Sequence, residues 1–166
     1  MKKKKTIILR VITGILAISL MVLIFSFSAQ NGEQSSGVSG RIVNWMIENI
    51  FQPILGTNEG AMTWLHENLG FLVRKLAHFS IYAALGMSLT GFFFTFAELT
   101  KKKQILLTIL IGFIYAATDE FHQLFTADRS GQITDVMLDT VGVIAGTGII
   151  ALGCYLVTKR SKKKEE

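Results

Sequence analysis

Charge, proline and cysteine are all scarce in this chain. Of its 166 residues only 17% are Asp, Glu, Lys or Arg, with one proline and one cysteine. Soluble domains carry about 25% charged residues. The single thiol, Cys154, excludes an intramolecular disulfide. There are no internal repeats, and the only biased tracts are runs of lysine. What the chain does have is apolar: half of it is hydrophobic and the mean hydropathy is +0.45. That is the composition of a membrane protein.

The apolar residues fall into long runs. Residues 7–27, 72–97, 104–122 and 135–157 are each near the roughly 20 residues needed to cross about 30 Å of hydrocarbon. The fold class expected is therefore all-α: a polytopic membrane protein with four transmembrane helices, forming a single membrane domain over 1–166. The first run is longer than the 7–15 residues of a signal-peptide core, so it predicts a retained anchor.

Net charge is +5, and its distribution matters more than its size. Lysines 2–5 and Arg10 precede or open the first span. Lysines 101–103 lie between the second and third. Lys159, Arg160 and Lys162 to Lys164 follow the fourth. Thirteen of the seventeen basic residues thus fall on one side if the spans alternate. The positive-inside rule makes that side, with both termini, cytoplasmic. These lysines flank spans and lack interleaved aromatics, which argues against a nucleic-acid partner. Membrane lipid is the partner they suit, since basic clusters beside spans attract anionic inner-leaflet headgroups.

Residues 29–70 are then external and too short for a domain with its own core. The stretch SAQNGEQSSGVSG reads as loop. Residues 41–55 carry Ile42, Trp45, Met46, Asn49 and Ile50 at helical spacing, widened by Val43, Ile47 and Phe51, with Pro53 as the terminator. This predicts an interfacial helix anchored by Trp45, with a short helix packed on the spans as the plainer alternative. Residues 61–69, with Trp64, predict a second short one. His66 has no neighbour at ligand spacing and reads as a surface residue.

Under the same topology the unusual polar residues gather at the external ends of the spans. Arg74, Lys75 and His78 open the second span. Asp119, Glu120, His122 and Gln123 close the third. Arg129 lies in loop 125–134, and Asp135 and Asp139 open the fourth. Ionisable groups at such depth are costly to bury and mark a site by default. Arg74, His78 and Tyr82 share a helical face at i, i+4, i+8. Arg74 and Lys75 can snorkel, but His78, a turn deeper, should face the bundle. Asp119, His122 and Gln123 share another face, with Glu120 about 100° away. Asp-x-x-His is a pattern for a base and its orienting carboxylate, or for two metal ligands. Two ligands define no metal site, and none is assigned; a cofactor is likewise not specified. Asp135 and Asp139, at i, i+4, repel each other unless cations intervene, which predicts an ion network joining spans two, three and four. Gly142-x-x-x-Gly146 permits close helix approach, either within the bundle or between two chains.

Together these residues resemble the VanZ-like family of bacterial membrane proteins. The matching elements are FSFSAQ with Ser35 and Ser36, then RKLAHFSIYAALG, TDEFHQLF, Arg129 and DVMLDTVGVIAG, in family order across residues 24–148. Two positions depart: Ala127 and Asp128 stand where members often carry Pro-Gly, and Asp139 where they often carry Asn. The resemblance implies a role in the bacterial cell envelope, because the founding member is associated with resistance to teicoplanin, a glycopeptide antibiotic. It implies the plasma membrane as location and a lipid-linked cell-wall precursor as a partner.

Three functions then compete. The first is binding of an anionic lipid-linked headgroup through Arg74, Lys75 and Arg129, with His78, Tyr82, Asp119, Glu120, His122, Gln123, Asp135 and Asp139 completing the pocket. The second is a hydrolase or transferase acting on that lipid, with His78, Asp119, Glu120 and His122 as catalytic candidates, although no serine or cysteine nucleophile signature stands beside the histidines. The third is an ion network that only orders the helices.

Overall fold

The computed structural model describes residues 2–56, 58–127 and 130–163, with the side chains of 2, 32–35, 38, 55 and 162 left aside. Six α-helices follow in order: α1 Lys2–Ser28, α2 Gly32–Met46, α3 Gln52–Leu55, α4 Glu59–Phe93, α5 Lys101–Gln123 and α6 Ile133–Lys162. A π-helical turn, Ile47–Phe51, joins α2 to α3. No strand occurs among the described residues. The four long helices, α1, α4, α5 and α6, are each long and apolar enough to cross a membrane. The chain is a multi-pass membrane protein.

The central element is α4, which packs against α6, α1, α5 and α2. Tyr82, Leu85 and Leu89 of α4 meet Ala17 and Ile24 of α1, Ala116 of α5 and Val143 of α6 in the main core. Large apolar side chains elsewhere on α1 point outward, among them Ile15, Ile18 and Val22, each at least 60% exposed. In water that surface would be untenable; against lipid tails it costs nothing.

Glycine sets the closest contact. A Cβ on Gly86 of α4 would strike the Val143 carbonyl, and one on Gly146 of α6 would strike the Ala83 carbonyl. At Gly142 it would lie 2.6 Å from the Phe79 carbonyl oxygen. The α4 and α6 backbones therefore touch, and Gly142-x-x-x-Gly146 is spent within the chain. Thr90 Oγ1 and Thr147 Oγ1, 3.1 Å apart, tie the same interface further along.

At one end of the bundle Arg10 of α1 holds the α4–α5 turn. Its Nε donates to Thr95 Oγ1 and a guanidinium nitrogen donates to the Thr95 carbonyl, both at 2.9 Å, and it lies over the Phe96 ring. Gln104 Nε2 donates to the Phe96 carbonyl at 2.6 Å. The basic N-terminal segment and the lysines at 101–103 thus share an end. At the other, Phe25 stacks beside His122, centroids 4.6 Å apart.

The segment between α1 and α4 differs from expectation in three ways. Helix starts at Gly32, so the stretch expected as loop is largely helical. Pro53 does not terminate it: it occupies the first turn of α3, where a missing N–H is harmless, and Gly56 at φ 68° ends the run. Residues 61–69 are not a separate interfacial helix but the first turns of α4. Asn58 Oδ1 caps that helix by accepting from the Ala61 N–H at 3.1 Å, and nothing interrupts it afterwards. At 35 residues α4 is roughly 50 Å long, so its N-terminal part extends beyond the hydrocarbon. There α2 packs on it: Val43 and Ile47 are buried against Leu65, while Trp45 and Trp64 stay 59% and 62% exposed, as interfacial anchors would.

Candidate functional site

Three helix ends bring the polar residues together. Close contact at Gly142 sets Asp139, about one turn earlier on α6, against His78 of α4. His78 Nδ1 lies 3.7 Å from Asp139 Oδ2. A turn nearer the end, Lys75 Nζ pairs with Asp135 Oδ1. Each aspartate of α6 thus faces a basic side chain of α4.

The end of α5 supplies the rest. Asp119, Glu120 and Gln123 are 3%, 4% and 5% exposed. Tyr82, fully buried, donates its hydroxyl to Asp119 Oδ2 at 3.2 Å. Gln123 Nε2 donates to Glu120 Oε1 at 3.2 Å, and the Gln132 backbone N–H donates to Glu120 Oε2 at 3.0 Å. That last bond explains why two consecutive acidic residues both face inward. The segment after α5 folds back over Glu120 and provides an interior on the side where an isolated helix would meet lipid.

His122 takes the opposite course. Its ring packs on Phe25 of α1, its Nδ1 is buried without a hydrogen-bond partner, and Asp119 takes its hydrogen bond from Tyr82 instead. Arg129 lies outside the described residues, as does Asp128. His66 is exposed. One residue that the helical-face argument missed is Ser28, at the end of α1 and 1% exposed, which faces Asp119. Its place in FSFSAQ was the available signal.

Two cavities meet at Arg74 and His78. One is mostly apolar, running between Ile24 and Phe27 of α1, Ile42 of α2, and Val73, Ala77 and Ile81 of α4. The other is polar, with Lys75, Gln123, Asp135 and Asp139 on its walls. Arg74 and His78 line both. Lys75 is half-buried and committed to Asp135, whereas Arg74 forms no ion pair among the described residues and its Nε is buried without a partner. The arrangement sets a guanidinium with no ion pair among the described residues at the junction of an apolar slot and a polar chamber, backed by a carboxylate–imidazole cluster.

Fold and site together define a multi-pass α-helical membrane protein with an ionisable cluster inside one end of its bundle. The chain belongs to the VanZ/LLP1 family, which it matches over residues 13–155. No curated protein and no solved structure is significantly similar to it.

Proposed function

We propose that the protein binds an anionic, lipid-linked headgroup at the outer leaflet of the bacterial plasma membrane, with both termini cytoplasmic, and thereby contributes to tolerance of glycopeptides such as teicoplanin. The carrying observation is the position of Arg74. It faces both cavities and has no carboxylate of its own among the described residues. A phosphate held there would let its lipid chain lie in the apolar groove and its headgroup enter the polar chamber. A guanidinium in a water-poor site is suited to that role, because its charge-assisted bonds to phosphate are strong and paired. The placement of the basic segments at the far end supports the orientation by the positive-inside rule. A lipid-linked cell-wall precursor fits this chemistry.

The test is binding of an anionic phospholipid, phosphatidylglycerol, to purified protein, alongside glycopeptide tolerance in cells. Arg74→Ala should insert at wild-type level, lose about tenfold or more in affinity, as one charge-assisted bond to phosphate predicts, and lose tolerance. Unchanged binding and tolerance in a well-inserted Arg74→Ala protein would sink the reading.

One observation favours an enzyme instead: His78 reaches both cavities beside three carboxylates. A hydrolase or transferase would use it as general acid or base. Release of phosphate or headgroup from the bound lipid, lost in His78→Gln while binding persists, distinguishes that reading.

A further inference from the structure

The carboxylates of Asp119, Glu120 and Asp139 are all 4% exposed or less. Together they can place three negative charges in a region that cannot solvate them. Among the described residues His78 alone comes within ion-pair distance of any of the three, because Lys75 is committed to Asp135. Even with His78 protonated, two negative charges stand without a counter-charge among the described residues.

The hydrogen bonding points the same way. Asp139 is wholly enclosed, yet neither of its carboxylate oxygens accepts a hydrogen bond, and Asp119 Oδ1 has none either. Buried carboxylate oxygens ordinarily have partners. Both residues belong to a single tight cluster. One ligand atom from each of His78, Asp119, Glu120 and Asp139 lies within 4.8 Å of all the others. Donors about 2.0–2.1 Å from a four-coordinate ion stand about 3.3 Å apart, and trans donors around a six-coordinate ion about 4.1 Å. Rotamer shifts of about an ångström close the set.

We propose that His78, Asp119, Glu120 and Asp139 form the binding site of a single divalent cation of the zinc–manganese class. The donor set selects that class. An imidazole among carboxylates disfavours calcium and magnesium, which take oxygen ligands, and no thiolate is at hand for a soft ion. Cys154 is exposed far along α6. The second shell is present: Tyr82 holds Asp119 Oδ2, and Gln123 and the Gln132 N–H hold the two oxygens of Glu120, each of which keeps a lone pair for a cation, while Asp119 Oδ1 and both Asp139 oxygens carry no hydrogen bond. A ligating His78 is neutral, so a divalent ion would cancel two of the three carboxylate charges. It would also knit α4, α5 and α6 at the floor of the polar cavity. The inference goes beyond the headgroup reading and stands without it, since every ligand is a side chain of this chain.

The experiment uses full-length, tag-free protein in nanodiscs of neutral lipid, stripped with chelator and titrated calorimetrically with zinc or manganese chloride. About one ion per chain is expected. Asp139→Asn and His78→Gln should weaken binding by at least about tenfold. Glu120→Gln, a milder change at a residue with two other hydrogen bonds, should do the same and covers the case in which the other variants fail to fold. His122→Ala and His66→Ala should bind as wild type. Absence of saturable binding by folded wild-type protein would overturn the proposal and leave protons, or Arg129, as the neutralising charge. Equal binding by wild type and all three ligand variants would overturn it too. Because no anionic lipid is present, neither result bears on headgroup binding.

Discussion

The Asp139 carboxylate meets His78 across the α4–α6 interface, Oδ2 3.7 Å from Nδ1, about one helical turn from the point where Gly142 lets the two backbones touch. The two features depend on each other. Glycine contact brings the helices close enough for a short aspartate to reach α4, and the imidazole makes burial of that aspartate tolerable.

Removing the imidazole should therefore be expensive. His78→Ala leaves Asp139, which is fully buried, without a cation, and breaking such a pair costs about 3–5 kcal/mol. Unfolding of metal-free protein in detergent measures this. A His78→Ala/Asp139→Asn double variant should recover much of the loss, because the orphaned charge is gone. A single-variant loss below about 1 kcal/mol would mean that Asp139 is neutralised by something other than His78.

The outer pair should behave differently. Lys75 and Asp135 each keep 21% of their side chains exposed and line the polar cavity, so water reaches this pair more readily than the fully buried Asp139. Lys75→Met should cost no more than about 1 kcal/mol of stability. Its effect should appear instead in the salt dependence of anionic-lipid binding, which should become shallower.

The glycine interface can be tested without touching any charge. Gly146→Val places a side chain against the Ala83 carbonyl, where nothing flexible can yield, and should cost at least about 3 kcal/mol or prevent folding. Gly148→Ala, only two residues on, has no atom within 4 Å of the added methyl and should be neutral or stabilising by up to about 1 kcal/mol. Similar melting temperatures for the two would argue against the close α4–α6 contact.

Sidedness follows from the lysines. In a Cys154→Ser background, Ser36→Cys and Ser130→Cys proteins should react with a membrane-impermeant thiol reagent in intact cells. A Lys102→Cys protein should react only after permeabilisation. All three positions are exposed, so reactivity reports side rather than burial. The reverse pattern would put the polar cluster at the inner leaflet, out of reach of an outer-leaflet ligand.

Much was legible along the chain, because it depends on local composition. Apolar runs of bilayer length, bounded by lysines, determine the four spans and which ends share a side. The i, i+4 spacings placed Arg74, His78 and Tyr82 on one face of α4, and Asp135 with Asp139 on one face of α6; the fold keeps both groupings. Segment boundaries between spans were less legible. The glycines and serines around residue 35 read as loop, yet a helix docked on a neighbour needs little intrinsic propensity, and residues 61–69 had no stop signal separating them from the span that follows. The choice between Glu120 and His122 belonged to the tertiary structure alone. Periodicity says which side chains of one helix point together, but not what stands opposite. Here Phe25 of α1 takes up His122, and the Gln132 N–H, returning after the turn, draws Glu120 inward. The cluster of four ligand atoms exists because three helices converge there, and that is a property of packing that no single helix encodes.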